Sequence, residues 1–277
     1  MPLVLEPLPD TGALSIDLGG VVPDRIATLS LDELLRLEVR ADERPAALGS
    51  LFAVAGEPAD GRIECRGDFA RVHALGARMA WGEFMVAGDV GRHAGAGMTG
   101  GTLTIHGDAG DWLACEMAGG VVHVKGSAGD NAAAALPGSR HGMRGGLVTI
   151  AGAAGSLAGA RMRRGVLAIA GDCGPAAGFE MLAGTIIVGG TVGPHAASGM
   201  RRGSLVAAGG RFEPPATFRR GSVWAPTFLH LLASRLDAAG FTLGGGSTRR
   251  ALAGPWEHWH GDLLAGGRGE IFLRPTA

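Results

Sequence analysis

Seven arginines stand at repeated places ahead of a glycine. Arg144, Arg163, Arg201 and Arg219 lie two residues before it, and Arg164, Arg202 and Arg220 one before it. Guanidinium groups are permanently charged planar donors that suit carboxylate and phosphate oxygens. A row of them on one edge is a candidate ridge for a polyanion. Local pairing with Glu180, Glu213 or a neighbouring protein chain would account for the same charges.

The other residue types capable of chemistry form no catalytic pattern. The nine histidines are His73, His93, His106, His123, His141, His195, His230, His258 and His260. Those in the repeats described below share no register, so no metal ladder is expected. EHWH (257–260) offers two histidines beside Glu257, which is half of a metal site or, as we read it, a surface aromatic cluster anchored by Trp256 and Trp259. Cys65, Cys115 and Cys173 form neither a CxxC pair nor a zinc spacing; they read as small buried side chains in a reducing compartment. There is no GxSxG, HExxH or Walker sequence. GGTLTIHGDAGD (100–111) resembles a phosphate loop, but it recurs along the chain without a following helix and is better read as a corner. Asp89, Asp108 and Asp172 follow corner glycines and read as turn-stabilising side chains. No catalytic residue and no metal ligand is therefore assigned.

The elements that position these residues come from a repeat. Gly82, Gly101, Gly120, Gly146, Gly165, Gly184, Gly203 and Gly221 are separated by 19, 19, 26, 19, 19, 19 and 18 residues. Methionine precedes all but the last by three, from Met79 to Met200, and further glycines follow six and nine residues later. Two residues after the marker stand Phe84, Leu103, Val122, Val148, Leu167, Ile186, Leu205 and Val223; four after it, Val86, Ile105, Val124, Ile150, Ile169, Val188, Ala207 and Ala225. This alternation of period two predicts one inward strand face per unit. Strands 19 residues apart pair in parallel, so the expected fold is all-β, a parallel β-helix (β-solenoid) of 19-residue coils. Its corner glycines would supply φ > 0, and its methionines would fill the interior. The longer step places a loop around 130–140.

Expected boundaries are a flank at 1–60, the β-helix at 61–225 and a C-terminal segment at 226–277. A capping box, Ser30 with Glu33, predicts a short helix in the first flank. Residues 227–239, framed by Pro226 and Gly240, predict a helix that caps the column or packs along its side; GGGST (244–248) reads as a flexible connection and GEIFLRP (269–275) as a last strand. The outward strand positions turn small or apolar at Ala168, Ala170, Ile187, Gly189, Val206 and Ala208, which marks either an interface with another chain or cover by the 227–239 helix. Glycine, 50 of 277 residues, is far above the usual ~7%. Net charge of −1 argues against nucleic acid as a partner. No long apolar run suggests a membrane segment, and a cytoplasmic protein is expected.

With the 19-residue units and the tail WEHWHGDLLAGGRGEIFL (256–273), the chain resembles the C subunits of formylmethanofuran dehydrogenase and of the bacterial formyltransferase/hydrolase complex. The GXGXG domain of the glutamate synthase large chain is built similarly and is the alternative. The resemblance implies a β-helical, non-catalytic scaffold in one-carbon metabolism. Its implied partners are the other members of the complex: the amidohydrolase-like A chain, the B chain and the formyltransferase D chain. It also implies a methanofuran-type (methylofuran) cofactor whose polyglutamate arm could lie on Arg144, Arg163, Arg164, Arg201, Arg202, Arg219 and Arg220.

Overall fold

The computed structural model describes residues 1–209 and 212–275. It is all-β with four α-helices and four single-turn 3-10 helices among the described residues. The main sheet has thirteen strands. In chain order they are β1 (Leu3–Pro7), β2 (Phe52–Ala55), β3 (Arg62–Cys65), β4 (Glu83–Val86), β5 (Thr102–Ile105), β6 (Val121–Val124) and β7 (Arg144–Ile150), then β8 (Arg164–Ile169), β9 (Thr185–Val188), β10 (Arg202–Ala207), β11 (Arg219–Trp224), β12 (Trp256–Gly261) and β13 (Arg268–Leu273). Strands β3 to β10 pair in parallel, each with the next. The register aligns Phe84, Leu103, Val122, Val148, Leu167, Ile186 and Leu205, and every one of them is buried. The seven methionines three residues before a marker glycine, Met79, Met98, Met117, Met143, Met162, Met181 and Met200, are fully buried as a second internal column.

Two further hydrogen-bonded tracks join successive units. Single parallel bridges link Phe69, Val90, Ala109, Ala128, Ala154, Cys173 and Val192. Between these bridges and the methionines, backbone alternates into positive φ, as at His93, Gly95 and Gly97. There N–H groups donate alternately to the next unit (His93 to Asp111 O, Gly97 to Cys115 O) and to the previous one (Gly95 to Leu75 O).

The glycines serve two different purposes. The first seven marker glycines adopt positive φ, from +74° at Gly101 to +109° at Gly203, and Gly221 does not. Those six and nine residues later do not, contrary to expectation. At Gly126 a Cβ would lie 2.8 Å from the Gly107 carbonyl carbon, so close approach of the unit below is what demands glycine.

The aspartates also differ from expectation. Asp89 Oδ1 accepts the Asp108 N–H at 2.7 Å, Asp108 Oδ1 the Ser127 N–H at 2.6 Å, and Asp172 Oδ1 the Thr191 N–H at 2.6 Å. They tie one unit to the next rather than closing their own turns. A second row does the same from Asp111 to the Asp130 N–H and from Asp130 to the Ser156 N–H. Asp108→Ala is expected to cost about 1 kcal/mol, read as a lower denaturation midpoint, with Asp108→Asn close to wild type.

Beyond β10 the pattern departs from the repeat. The rung expected at Gly221 is absent: β13 pairs with β10, placing Gly269 beside Gly203 and Ile271 beside Leu205. Strand β12 adds antiparallel to β13, and β11 antiparallel to β12. Val223, expected inside, is 48% exposed. A buried side chain needs a partner unit on its inner face, and here residues 268–273 have taken that place.

The helices are α1 (Pro23–Ile26), α2 (Leu31–Leu35), α3 (Thr227–Ala238) and α4 (Thr248–Leu252). The Ser30–Glu33 capping box opens α2. Helix α3 packs along the side of the sheet, where Leu229, Ala233 and Leu236 cluster with Ala168, Ile187 and Val206. The apolar outer face is thus covered by its own chain, not left for another protein. GGGST is not a loose connection: Gly246–Ser247 pairs with Thr242–Leu243, and buried Thr248 donates its N–H to Asp237 Oδ1 at 2.7 Å. Arg274 lies 4.0 Å over the Trp256 ring and donates to Ala253 O, fixing the end of the cover. None of the described helices is long and apolar enough to cross a membrane.

Candidate anion-binding surface

The seven arginines do not form one ridge. Arg163, Arg164 and Arg202 are exposed and line an open groove of ≈ 680 Å³ together with Arg268, which the repeat pattern did not reveal. Arg268 carries the same signature as the others, one residue before a glycine, and lies directly opposite Arg202. Arg144 pairs in register with Arg164. Arg201 faces a neighbouring groove of ≈ 550 Å³ with Arg140 and Arg161, where Arg161 pairs with Glu180 at 2.8 Å. Arg219 and Arg220 sit on β11, three strands beyond β10, and Arg220 donates to Glu257 at 2.7 Å.

Among the described residues, Arg144, Arg163, Arg164, Arg201, Arg202 and Arg268 have no carboxylate within 4.0 Å. Glu213 is not among the ion-pair partners of these arginines. Glu270 borders the main groove, but it accepts from Ser204 Oγ at 3.0 Å and lies 3.4 Å from His258 Nε2. Like charges directly opposite on a sheet repel, so the Arg144–Arg164 and Arg202–Arg268 pairs leave the surface strongly attractive to anions.

The tail motif is less exposed than expected. Trp256, Glu257 and His258 are buried, and Glu257 also accepts from Trp259 Nε1 at 2.7 Å. His258 stacks on Phe272, 4.7 Å between ring centres, with His260 4.1 Å away. Among the described residues no group of three histidine, cysteine or acidic side chains is placed to hold a metal.

One arrangement resembles a nucleophile and its base: Ser15 Oγ lies 3.0 Å from His73 Nε2. His73 Nδ1, however, accepts the Arg92 N–H at 3.0 Å. The ring proton is then on Nε2 and points at the serine, so this pair cannot remove the hydroxyl proton. The cysteine thiols are equally unsuited to nucleophilic work, since burial pushes Cys115 and Cys173 up to about 12.

Burial also holds His73, His93, His123 and His258 below the ordinary 6.5; nearby cations reinforce this for His73, His93 and His123, and His260 does for His258. The unfolded chain therefore binds protons that the folded chain refuses. Their contribution to stability is full above about pH 6.5 and is lost as pH falls through the lower folded values. The urea midpoint is expected to drop between about pH 7.5 and 5.5.

Stacked glycine-built units and a groove of arginines without carboxylate partners among the described residues define an all-β protein. No protein-family model matches the chain. In structure it is similar, with a TM-score of 0.86 and 33% sequence identity, to a chain of the formyltransferase/hydrolase complex (FhcABCD) from Methylorubrum extorquens in complex with methylofuran; the match covers 99% of this chain and 100% of that one. In sequence it is 32% identical over 79 residues to the C subunit of the tungsten-containing formylmethanofuran dehydrogenase 2 of Methanothermobacter marburgensis, covering 27% of this chain and 29% of that protein. It is 35% identical over 96 residues to the C subunit of the molybdenum-containing formylmethanofuran dehydrogenase 1 of Methanothermobacter thermautotrophicus, covering 34% of this chain and 24% of the relative. The matched segments thus span less than a third of these curated relatives. The chain belongs to the family of formylmethanofuran dehydrogenase C subunits.

Proposed function

We propose that this protein is a non-catalytic scaffold subunit of a formyltransferase/hydrolase-type complex in one-carbon metabolism, with its 19-residue units wound as a parallel β-helix. Its partners are chains of the A, B and D kinds, and its arginine surface receives the carboxylate arm of a methylofuran-type cofactor. The observation that carries this reading is the groove lined by Arg163, Arg164, Arg202 and Arg268, exposed guanidinium groups with no carboxylate partner among the described residues. Such residues fit a chain of carboxylates. The likeness to a chain of a complex solved with methylofuran supports the same reading.

Purification of the tagged chain from its host, with identification of what accompanies it, tests the scaffold role. Partners of the three kinds are expected, and turnover of formyl substrates by the chain alone would refute it. Replacing Arg163, Arg164 and Arg202 together with glutamine is expected to weaken retention of the cofactor roughly tenfold at low salt, since each exposed charge pair contributes ~0.2–1 kcal/mol. The difference should shrink as salt rises.

A further inference from the structure

We infer that the groove is a clamp with a fixed seat: a carboxylate chain crosses Ala183 and is held between Arg163 and Arg164 on one wall and Arg202 and Arg268 on the other. This rests on the cofactor-arm reading above and adds the place at which the arm is anchored.

The register carries the argument. Arg144 is opposite Arg164, and Arg202 is opposite Arg268. The pairing of β8 with β9 and of β9 with β10 puts Ala183 between Arg164 and Arg202 in the same row. The row therefore reads arginine, arginine, alanine, arginine, arginine. With strands about 4.8 Å apart, the two inner arginines stand roughly 10 Å from each other across the alanine. Leu182, Ala183 and Gly184 line the groove between the arginines, and in the clamp they are its floor, at the place where a fifth arginine is missing. A surface built only to accumulate positive charge has no reason for that gap. Small side chains at the centre give a chain room to lie down, and the paired guanidinium groups meet carboxylates on both sides. Each arginine pair repels itself until an anion sits against it. Glu270, the one acidic group lining the groove, has none of these guanidinium groups within 4.0 Å, so four cations face a single carboxylate and the walls stay net positive.

The test uses the assembled complex carrying methylofuran and measures cofactor retained per complex, with the thermal midpoint checking the fold. Arg268→Gln is expected to weaken retention about 2- to 5-fold. Ala183→Arg adds positive charge but fills the floor, and is expected to weaken retention at least as much; Ala183→Met, which adds bulk alone, should act in the same direction. Unchanged or tighter retention in Ala183→Arg overturns the clamp while leaving the cofactor-arm reading intact. Unchanged retention in the Arg163, Arg164 and Arg202 triple variant overturns that reading as well. If these variants lose partner chains yet keep normal cofactor in every complex that forms, the groove binds an acidic surface of a partner and the clamp is wrong.

Discussion

Ala168→Arg is expected to destabilise the protein by about 3 kcal/mol or more. Ala168 is fully buried beneath α3, in a cluster with Leu229, Ala233, Ile187 and Trp256. A guanidinium placed there has no carboxylate to meet and no space to occupy, so overpacking adds to the cost of an unpaired buried charge. The protein escapes only by lifting α3 from the sheet, which exposes Ile187 and Val206 and forfeits their burial. Urea unfolding measures the loss, and faster proteolysis within residues 227–252 locates it. Unchanged stability would mean that the helix does not cover this face in solution.

Gly126→Ala should have the second large effect, on the order of 2–4 kcal/mol. The added carbon falls 2.7 Å from Gly107 O and 2.8 Å from Gly107 C, and it also overlaps the Asp108 carboxylate that holds the Ser127 N–H. Backbone below cannot move without shifting its own hydrogen bonds to the units on either side. Gly138→Ala is the control. Its φ is +82°, but a Cβ at this position would meet no atom within 4 Å, so only the left-handed strain of about 1–2 kcal/mol remains. Thermal midpoints of the two variants should differ by several degrees, with Gly126→Ala lower. Equal midpoints would show that conformation, not crowding, fixes the glycines of this row.

The regular part of the sheet was legible because two signals coincide there: apolar alternation of period two and a spacing of 19. Leu103, Val122 and Leu167 could be placed on one inward row from their positions alone. The eighth rung could not. RRGSVW (219–224) repeats the arginine pair and marker glycine, and only its exposed Val223 and its pairing with β12 exclude it. GRGEIFL (267–273) carries the same register, with Arg268 before Gly269 and Ile271 two after it, but lies outside the spacing. Choosing between them depends on what the long segment between β10 and β13 packs against, which a local pattern does not encode. The apolar face at Ala168 and Ile187 had the same character: burial was readable, the identity of the cover was not. Of the arginines that line the groove, Arg163, Arg164 and Arg202 were legible through the repeat, and Arg268 was not, because its rung lies outside the spacing. Arg219 and Arg220 carry the same local signature, but their strand stands three beyond β10.

The substitution of residues 268–273 for the missing rung also sets the order in which the protein can be completed during synthesis. Most rungs meet a neighbour about 19 residues away and can add as the chain emerges. Strand β10 waits for a partner 66 residues later, as the Arg202–Arg268 pairing requires. Until the last strand leaves the ribosome, β10 is an open edge with unpaired backbone groups, able to recruit another chain. A nascent chain stopped short of Arg268 is therefore expected to aggregate, although every regular rung below that edge is already stacked.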